Sequence, residues 1–222
     1  MKKYEFTGET KTVNSLLRTV TYRRIRAKVA FGIVEAGEVG GWIEKEENLS
    51  DDGDAWVFGN AEVSGNAKVS GNAWVFGDAW VYDDALVSGS AKVSGNAKVY
   101  GNAEVYDDAW VSDDAKVSGN AWVFGDAWVS GNAKVSGSAE VSGNAKVLKT
   151  TNIFVIGPAG SRNAYTTFYR DKDNEISVRC GCFCGKLDKF LRKVSEIHGA
   201  NKYALVYQAS VELAKMQIEL KE

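Results

Sequence analysis

From Gly53 to Leu148 the chain counts in sixes without an insertion: GDAWVF, GNAEVS, GNAKVS, GNAWVF and so on, through sixteen hexads. Alanine fills the third slot and valine the fifth in all sixteen. The second slot is always Asn, Asp or Ser, and the first is Gly thirteen times and Asp three times. Ala-x-Val is a two-residue alternation, so both side chains face one way along a short strand. Gly followed by Asn or Asp is turn chemistry that tolerates positive φ. Six residues cannot enclose a core, but stacked coils can, each pairing its backbone with the coils above and below. The repeat therefore predicts a narrow column filled with alanine and valine.

The phrase Gly-Asn-Ala-x-Val resembles the hexapeptide repeat of left-handed parallel β-helices. The resemblance implies triangular coils of eighteen residues, about five of them here, and the left hand is part of what it implies. The stretch AGEVGGWIEKEENLS, preceded by LLR (residues 16–18) and leading into GDAWVFGNA, is similar to the N-terminal cap of a family of bacterial and phage hexapeptide-repeat proteins. That family supplies no reaction. Hexapeptide acyltransferases use a histidine base, and carbonic anhydrases of this fold use three histidines for zinc. This chain has a single histidine, His198, outside the repeat, and the repeat has no threonine from which to build an ice-binding ladder. A non-catalytic protein without a cofactor is expected, with an acyl or nucleotidyl transferase as the disfavoured alternative. The pairs Asp83-Asp84, Asp107-Asp108 and Asp113-Asp114 fall at three different corners of an eighteen-residue coil. They read as solvated turns, since a shared calcium site needs its ligands together.

The fourth slot lies between alanine and valine and points outward. Sorted by the coil, one face collects Trp56, Trp74, Lys92, Trp110, Trp128 and Lys146, with Phe58 and Phe76 near the same corner. The second face collects Glu62, Trp80, Lys98, Lys116 and Lys134, and the third Lys68, Leu86, Glu104, Trp122 and Glu140. Coils ~4.8 Å apart would bring Trp56 against Trp74 and Trp110 against Trp128. Four such rings would form an apolar stripe of several hundred Å², about as large as a monomer leaves open. The expected cover is the chain itself, because the resemblance implies a homotrimer. The interface would hold Trp56, Phe58, Trp74, Phe76, Trp110 and Trp128. Exposed cross-strand stacking and a platform for sugars or nucleobases are the alternatives.

Residues 1–52 read as short strands that cap the open end of the column, since an uncovered end is an unpaired edge. Arg18, Arg23, Arg24, Arg26 and Lys28 read as a solvated strand edge. The N-terminus has no apolar segment of the signal-peptide kind, and no run of eighteen apolar residues marks a membrane span. Three cysteines crowd into residues 180–184, which excludes a disulfide framework and suits a reducing cytoplasm.

Residues 149–222 form a small α+β module. Charge sets it apart: twelve basic against eight acidic groups, where the repeat has six against twelve. An anionic ligand would find this end the better host. The sequence predicts a strand, a glycine loop, a hairpin turning at Asp171–Asn174, an amphipathic helix closed by Gly199, and a second helix. The second helix carries Tyr203, Val206, Tyr207, Leu213 and Met216 near one stripe. The loop Gly157-Pro158-Ala159-Gly160-Ser161-Arg162 offers backbone N–H groups, a hydroxyl and a guanidinium. It suits an anion without being a Walker loop. The expected ligand residues are Gly157, Gly160, Ser161, Arg162, Thr166, Thr167, Tyr169 and Arg179, and a tight turn with a surface arginine is the plainer reading. Cys180, Cys182 and Cys184 would share one side of a continuous strand, though their spacing is poor for zinc. The module is similar to C-terminal segments of uncharacterised phage proteins. That resemblance implies a cytoplasmic phage-type binding protein that captures a small anionic, nucleotide-like ligand, for instance to sequester a host immune signal. A membrane and a nucleic-acid polymer are not expected partners, and a purely self-assembling protein is the alternative.

Overall fold

The structure, a computed structural model, describes residues 2–14 and 18–220. Leu16 and Leu17 of the cap phrase lie outside the described residues. Each hexad forms one two-residue strand, from β4 (Trp56–Val57) to β19 (Lys146–Val147). Strands eighteen residues apart pair in parallel, so the column has three sheets, one per face. Every third-slot alanine and fifth-slot valine is buried, and together they form the core of a β-solenoid.

The solenoid has about six turns, because the cap supplies one. Trp42 and Ile43, in β3 (Val39–Ile43), pair with Glu62 and Val63, and Leu49 bridges to Val69. Coiling thus begins before Gly53, inside the segment that the sequence assigns to the cap. The hairpin of β1 (Tyr4–Asn14) and β2 (Thr19–Ala27) extends one sheet beyond that first turn.

The first-slot rule has a steric origin. Gly65 has φ +70°, and a Cβ there would sit 2.7 Å from the carbonyl oxygen of Asp83 one coil on. Asp83, Asp107 and Asp113 adopt the same left-handed conformation. Two of them repay it with a bond: Asp83 Oδ2 accepts the Gly101 N–H at 3.3 Å, and Asp113 Oδ2 the Gly131 N–H at 3.1 Å. Second-slot side chains ladder along the corners, as in Asn66 Nδ2 to Asp84 Oδ1 at 2.9 Å. Both ends of the column carry one device, a 3-10 turn ending in a buried asparagine. Asn48 Nδ2 donates to the carbonyls of Gly65 and Ala67, while Asn152 Oδ1 accepts the N–H groups of Leu148 and Lys149.

The tryptophan stripe is shorter than the sequence predicts. Trp56 is wholly buried beneath the cap, its ring 5.4 Å from Phe31 and 6.3 Å from Tyr4. It cannot serve an interface between copies. Phe58 is half-buried against the edge of Trp74, with ring centroids 6.0 Å apart, and Phe76 is also half-buried. Lys92 lies over the Trp74 ring at 5.3 Å. Trp110 and Trp128 do stack, at 5.7 Å and 15°, and both stay exposed. Their indole N–H groups donate to Ser94 and Ser112.

The module is not a separate tail. The antiparallel sheet β20 (Ile153–Ala159), β21 (Ala164–Arg170), β22 (Ile176–Cys180) and β23 (Phe183–Lys186) closes the last coil with one face. Ile153 and Tyr169 on that face join the solenoid core. Phe168 and Val178 on the other face pack under α1 (Leu187–His198) and α2 (Lys202–Gln217). Asp171 in the predicted turn is fully buried, bonded by Ser177 Oγ and Lys186 Nζ, each at 2.6 Å. On α2 the buried stripe is Ala204, Tyr207, Val211 and Ala214. Of the predicted stripe, Val206, Leu213 and Met216 are exposed instead. The helix is apolar on two sides, and the sequence pattern does not say which side the module takes.

Candidate functional site

Two hairpin tips and α1 enclose a cavity of about 390 Å³ in the module. The turn after β20 contributes Ser161 and Arg162, and the turn after β22 contributes Gly181 and Cys182. From α1 come Phe190, Lys193, Val194, Ile197 and His198, one stripe at helical spacing. Tyr207 of α2 closes the back.

Burial grades through the site. Phe190, Val194 and Tyr207 are buried, and Phe183, Ala164 and Cys180 are half-buried. Ser161, Arg162, Cys182, Lys193 and Ile197 are exposed at the rim, with His198 half-exposed beside them. The floor is aromatic: Phe190 meets Phe183 at 5.4 Å and Tyr207 at 5.6 Å, and His198 stacks on Tyr207 at 5.7 Å. The lining contains one guanidinium, Arg162, one ammonium, Lys193, and no carboxylate. Lys193 reaches Glu196 at 3.2 Å, but both side chains are more than half exposed, so that pair holds the ammonium only loosely.

Of the eight residues that the sequence singles out, Ser161 and Arg162 line the cavity. Gly160 abuts it: a Cβ there would lie 2.2 Å from Tyr207 Oη, so only glycine leaves room for that hydroxyl. Gly157 lies outside the lining. The other four serve the fold: Thr166 shares the cavity side of the sheet with Ala164 and Cys180 but is not part of the lining, and alternation turns the remaining three the other way. Thr166 is buried and donates to Cys180 Sγ at 3.2 Å. Thr167, Tyr169 and Arg179 face the solenoid. Thr167 Oγ1 accepts the Glu140 N–H at 3.0 Å, and Tyr169 Oη donates to the Ser142 carbonyl at 3.0 Å. Arg179 Nε donates to Glu140 Oε2 at 2.9 Å, with its guanidinium over Phe124. Burial opposes the charge of Arg179, but Glu140 outweighs it and holds the group more firmly protonated than usual.

The cysteines do not share a side. The chain turns at Gly181-Cys182, so Cys180 pairs with Phe183 on the cavity side while Cys184 lies near Tyr169 and Ser142 on the other. Among the described residues no group of three or more His, Cys, Asp or Glu could hold a metal ion. None of the helices among the described residues is long and apolar enough to cross a membrane. Lys193 and His198 of α1 are among the polar cavity residues that the ligand reading missed. The available signal was their place in the apolar stripe of α1, where a solvated helix face would not put phenylalanine, valine and isoleucine. No family model matches the chain, and the search of curated proteins returns no match either.

Proposed function

We propose that the protein is a non-catalytic binding protein whose α+β module captures a small anionic ligand, with the solenoid as its rigid mount. The observation that carries this reading is the rim: Arg162 and Lys193 beside His198, around a cavity lined by no carboxylate. Guanidinium and ammonium groups make charge-assisted hydrogen bonds to anions, and no carboxylate in the lining opposes them. Nothing in the lining forms a nucleophile–base pair with a group to orient it, which favours capture over turnover. A nucleotide-like signal is the ligand that the resemblance suggests. The test is calorimetric titration of adenosine monophosphate, inorganic phosphate and small carboxylates into wild type and Arg162→Gln. Binding of at least one anion, weakened in the variant, supports the reading, and no binding of any removes it.

Self-assembly is the second reading, favoured by the exposed Trp110–Trp128 stack with Trp122, also exposed, on the adjoining face. Paired indoles on a flat sheet are common anchors between protein copies. The trimer that the resemblance implies would use this shorter patch.

A further inference from the structure

Resting on the ligand-capture reading, we infer that the cavity takes an amphipathic anion: an aromatic or aliphatic body carrying a single acidic head, rather than a nucleotide. The grading of the walls carries this. The deep part is built from Phe190, Val194 and Tyr207 with Phe183 over them, and only the rim is charged. A nucleobase presents several donors and acceptors, and each one buried without a partner costs binding. The floor answers with little beyond the Tyr207 hydroxyl and the Cys180 thiol. An apolar ring or short chain asks nothing of it and gains from leaving water. The head group then lies at the rim, within reach of the flexible Arg162 and Lys193 side chains and of the His198 imidazole. A polyphosphate would find one arginine and one lysine where its charge calls for more. The volume, about 390 Å³, lies near the lower end of the ~300–1,000 Å³ usual for small-molecule sites, which suits one or two rings and excludes a long lipid tail.

Three probes separate the possibilities. One is 8-anilinonaphthalene-1-sulfonate, which is apolar with one anionic head. Another is N-phenyl-1-naphthylamine, which has a similar body and no charge. The third is adenosine monophosphate. The full chain is expected to bind the sulfonate saturably, at one site per chain, and the neutral amine more weakly. Arg162→Gln with Lys193→Gln should weaken the sulfonate by about tenfold or more, the worth of a lost charge-assisted contact, and the amine by less than about twofold. Ala164→Phe, which fills the cavity from β21, should remove both. Circular dichroism and a melt show that each variant is folded, and Ile197→Glu at the exposed rim gives a second charge test if the others are not. Sulfonate binding that ignores the rim charges, or that never saturates, overturns the inference. So does adenosine monophosphate that binds more tightly than the sulfonate, although the ligand-capture reading survives that result. If no probe binds, the inference falls, and the ligand-capture reading falls with it only when inorganic phosphate and small carboxylates also fail to bind.

Discussion

Tyr169 and Ser142 tie the α+β module to the solenoid: the buried phenol donates to the serine carbonyl at 3.0 Å, directly over the last coil. Thr167 and Arg179 flank that bond with their contacts to Glu140. The sheet therefore does for the end of the column what β1 and β2 do for its start. It covers edges and apolar surface that an unfinished coil would leave in water. A module mounted this way moves with the column, which is what a rigid carrier for a ligand site requires.

Tyr169→Phe should lower stability by about 1–2 kcal/mol, because one neutral hydrogen bond is lost and a buried carbonyl is left with one partner fewer. Urea unfolding followed by tryptophan fluorescence and by far-ultraviolet circular dichroism measures this. Tryptophans lie only in the solenoid and its cap, and among the described residues helices lie only in the module apart from single 3-10 turns. Coincident transitions mark one cooperative unit. If the helical signal melts first in wild type, the module is not part of the column's core.

Asp171 and Lys186 set a pH dependence. Burial opposes the Asp171 charge, but Lys186, the Ser177 hydroxyl and the N–H groups of Glu175 and Asp173 outweigh it, holding the carboxyl below its usual range. Desolvation opposes the Lys186 charge, yet Asp171, Glu175 and Asp173 together outweigh it and raise the group above its usual value. The folded carboxyl titrates below the unfolded one at ~3.9, so its contribution is complete above that pH and disappears as pH falls through the lower folded value. The ammonium works in the opposite sense: its contribution is complete below ~10.4 and is lost as pH rises through the higher folded value. Asp171→Asn should cost about 2–3 kcal/mol at pH 7, less than the ~3–5 of a fully buried pair, since Lys186 is partly solvated. Stability measured from pH 2 to 6 should flatten in the variant. An unchanged acid limb would show that other carboxylates govern it.

The tryptophans should divide into two kinds. Trp56→Ala should cost about 3–5 kcal/mol, the usual result of emptying a buried aromatic site. Trp110→Lys with Trp128→Lys should leave the monomer's stability within about 1 kcal/mol, as expected for exposed positions. The double variant should also lower the native mass if copies associate through this face, whereas Trp80→Lys should not. Mass spectrometry under native conditions, run beside melting curves, reads both quantities. A native mass that falls equally with Trp80→Lys would remove the assignment to this face.

What the sequence reveals follows from the range of the forces involved. Hexad spacing decides the short strands, their turns and the alanine–valine interior, because each depends on neighbours within the six-residue repeat, while the eighteen-residue coil is what the resemblance to left-handed β-helices implies. The hairpin at Asp171–Asn174 and the stop at Gly199 are equally local. Trp56 is different. Its outward slot is right, but the cap folds Tyr4 and Phe31 over it, and no local pattern announces contacts with residues so far back in the chain. The site is divided in the same way. Arg162 and Ser161 are legible in a glycine turn, whereas Thr167, Tyr169 and Arg179 depend on which face of the sheet meets the column. The orientation of α2 fails for the plainest reason, because a helix with two apolar stripes fits either way round.

Gly160 and Tyr207 provide the sharpest test of the cavity wall. Gly160 sits at φ +72°, and its missing Cβ is what admits the tyrosine hydroxyl. Gly160→Ala therefore meets two penalties. The left-handed backbone costs about 1 kcal/mol for a residue with a Cβ, and the clash with Tyr207 adds roughly 1–3 kcal/mol of overpacking. Replacing Tyr207 with Leu removes the clash but not the backbone cost. In a double-mutant cycle the two substitutions should then combine to less than their sum, with a coupling of roughly 1 kcal/mol or more. Strict additivity would mean that the two residues do not touch. Sulfonate fluorescence on the same four proteins should show the single Gly160→Ala variant weakened, because a displaced Tyr207 ring enters the space that the ligand's apolar body needs.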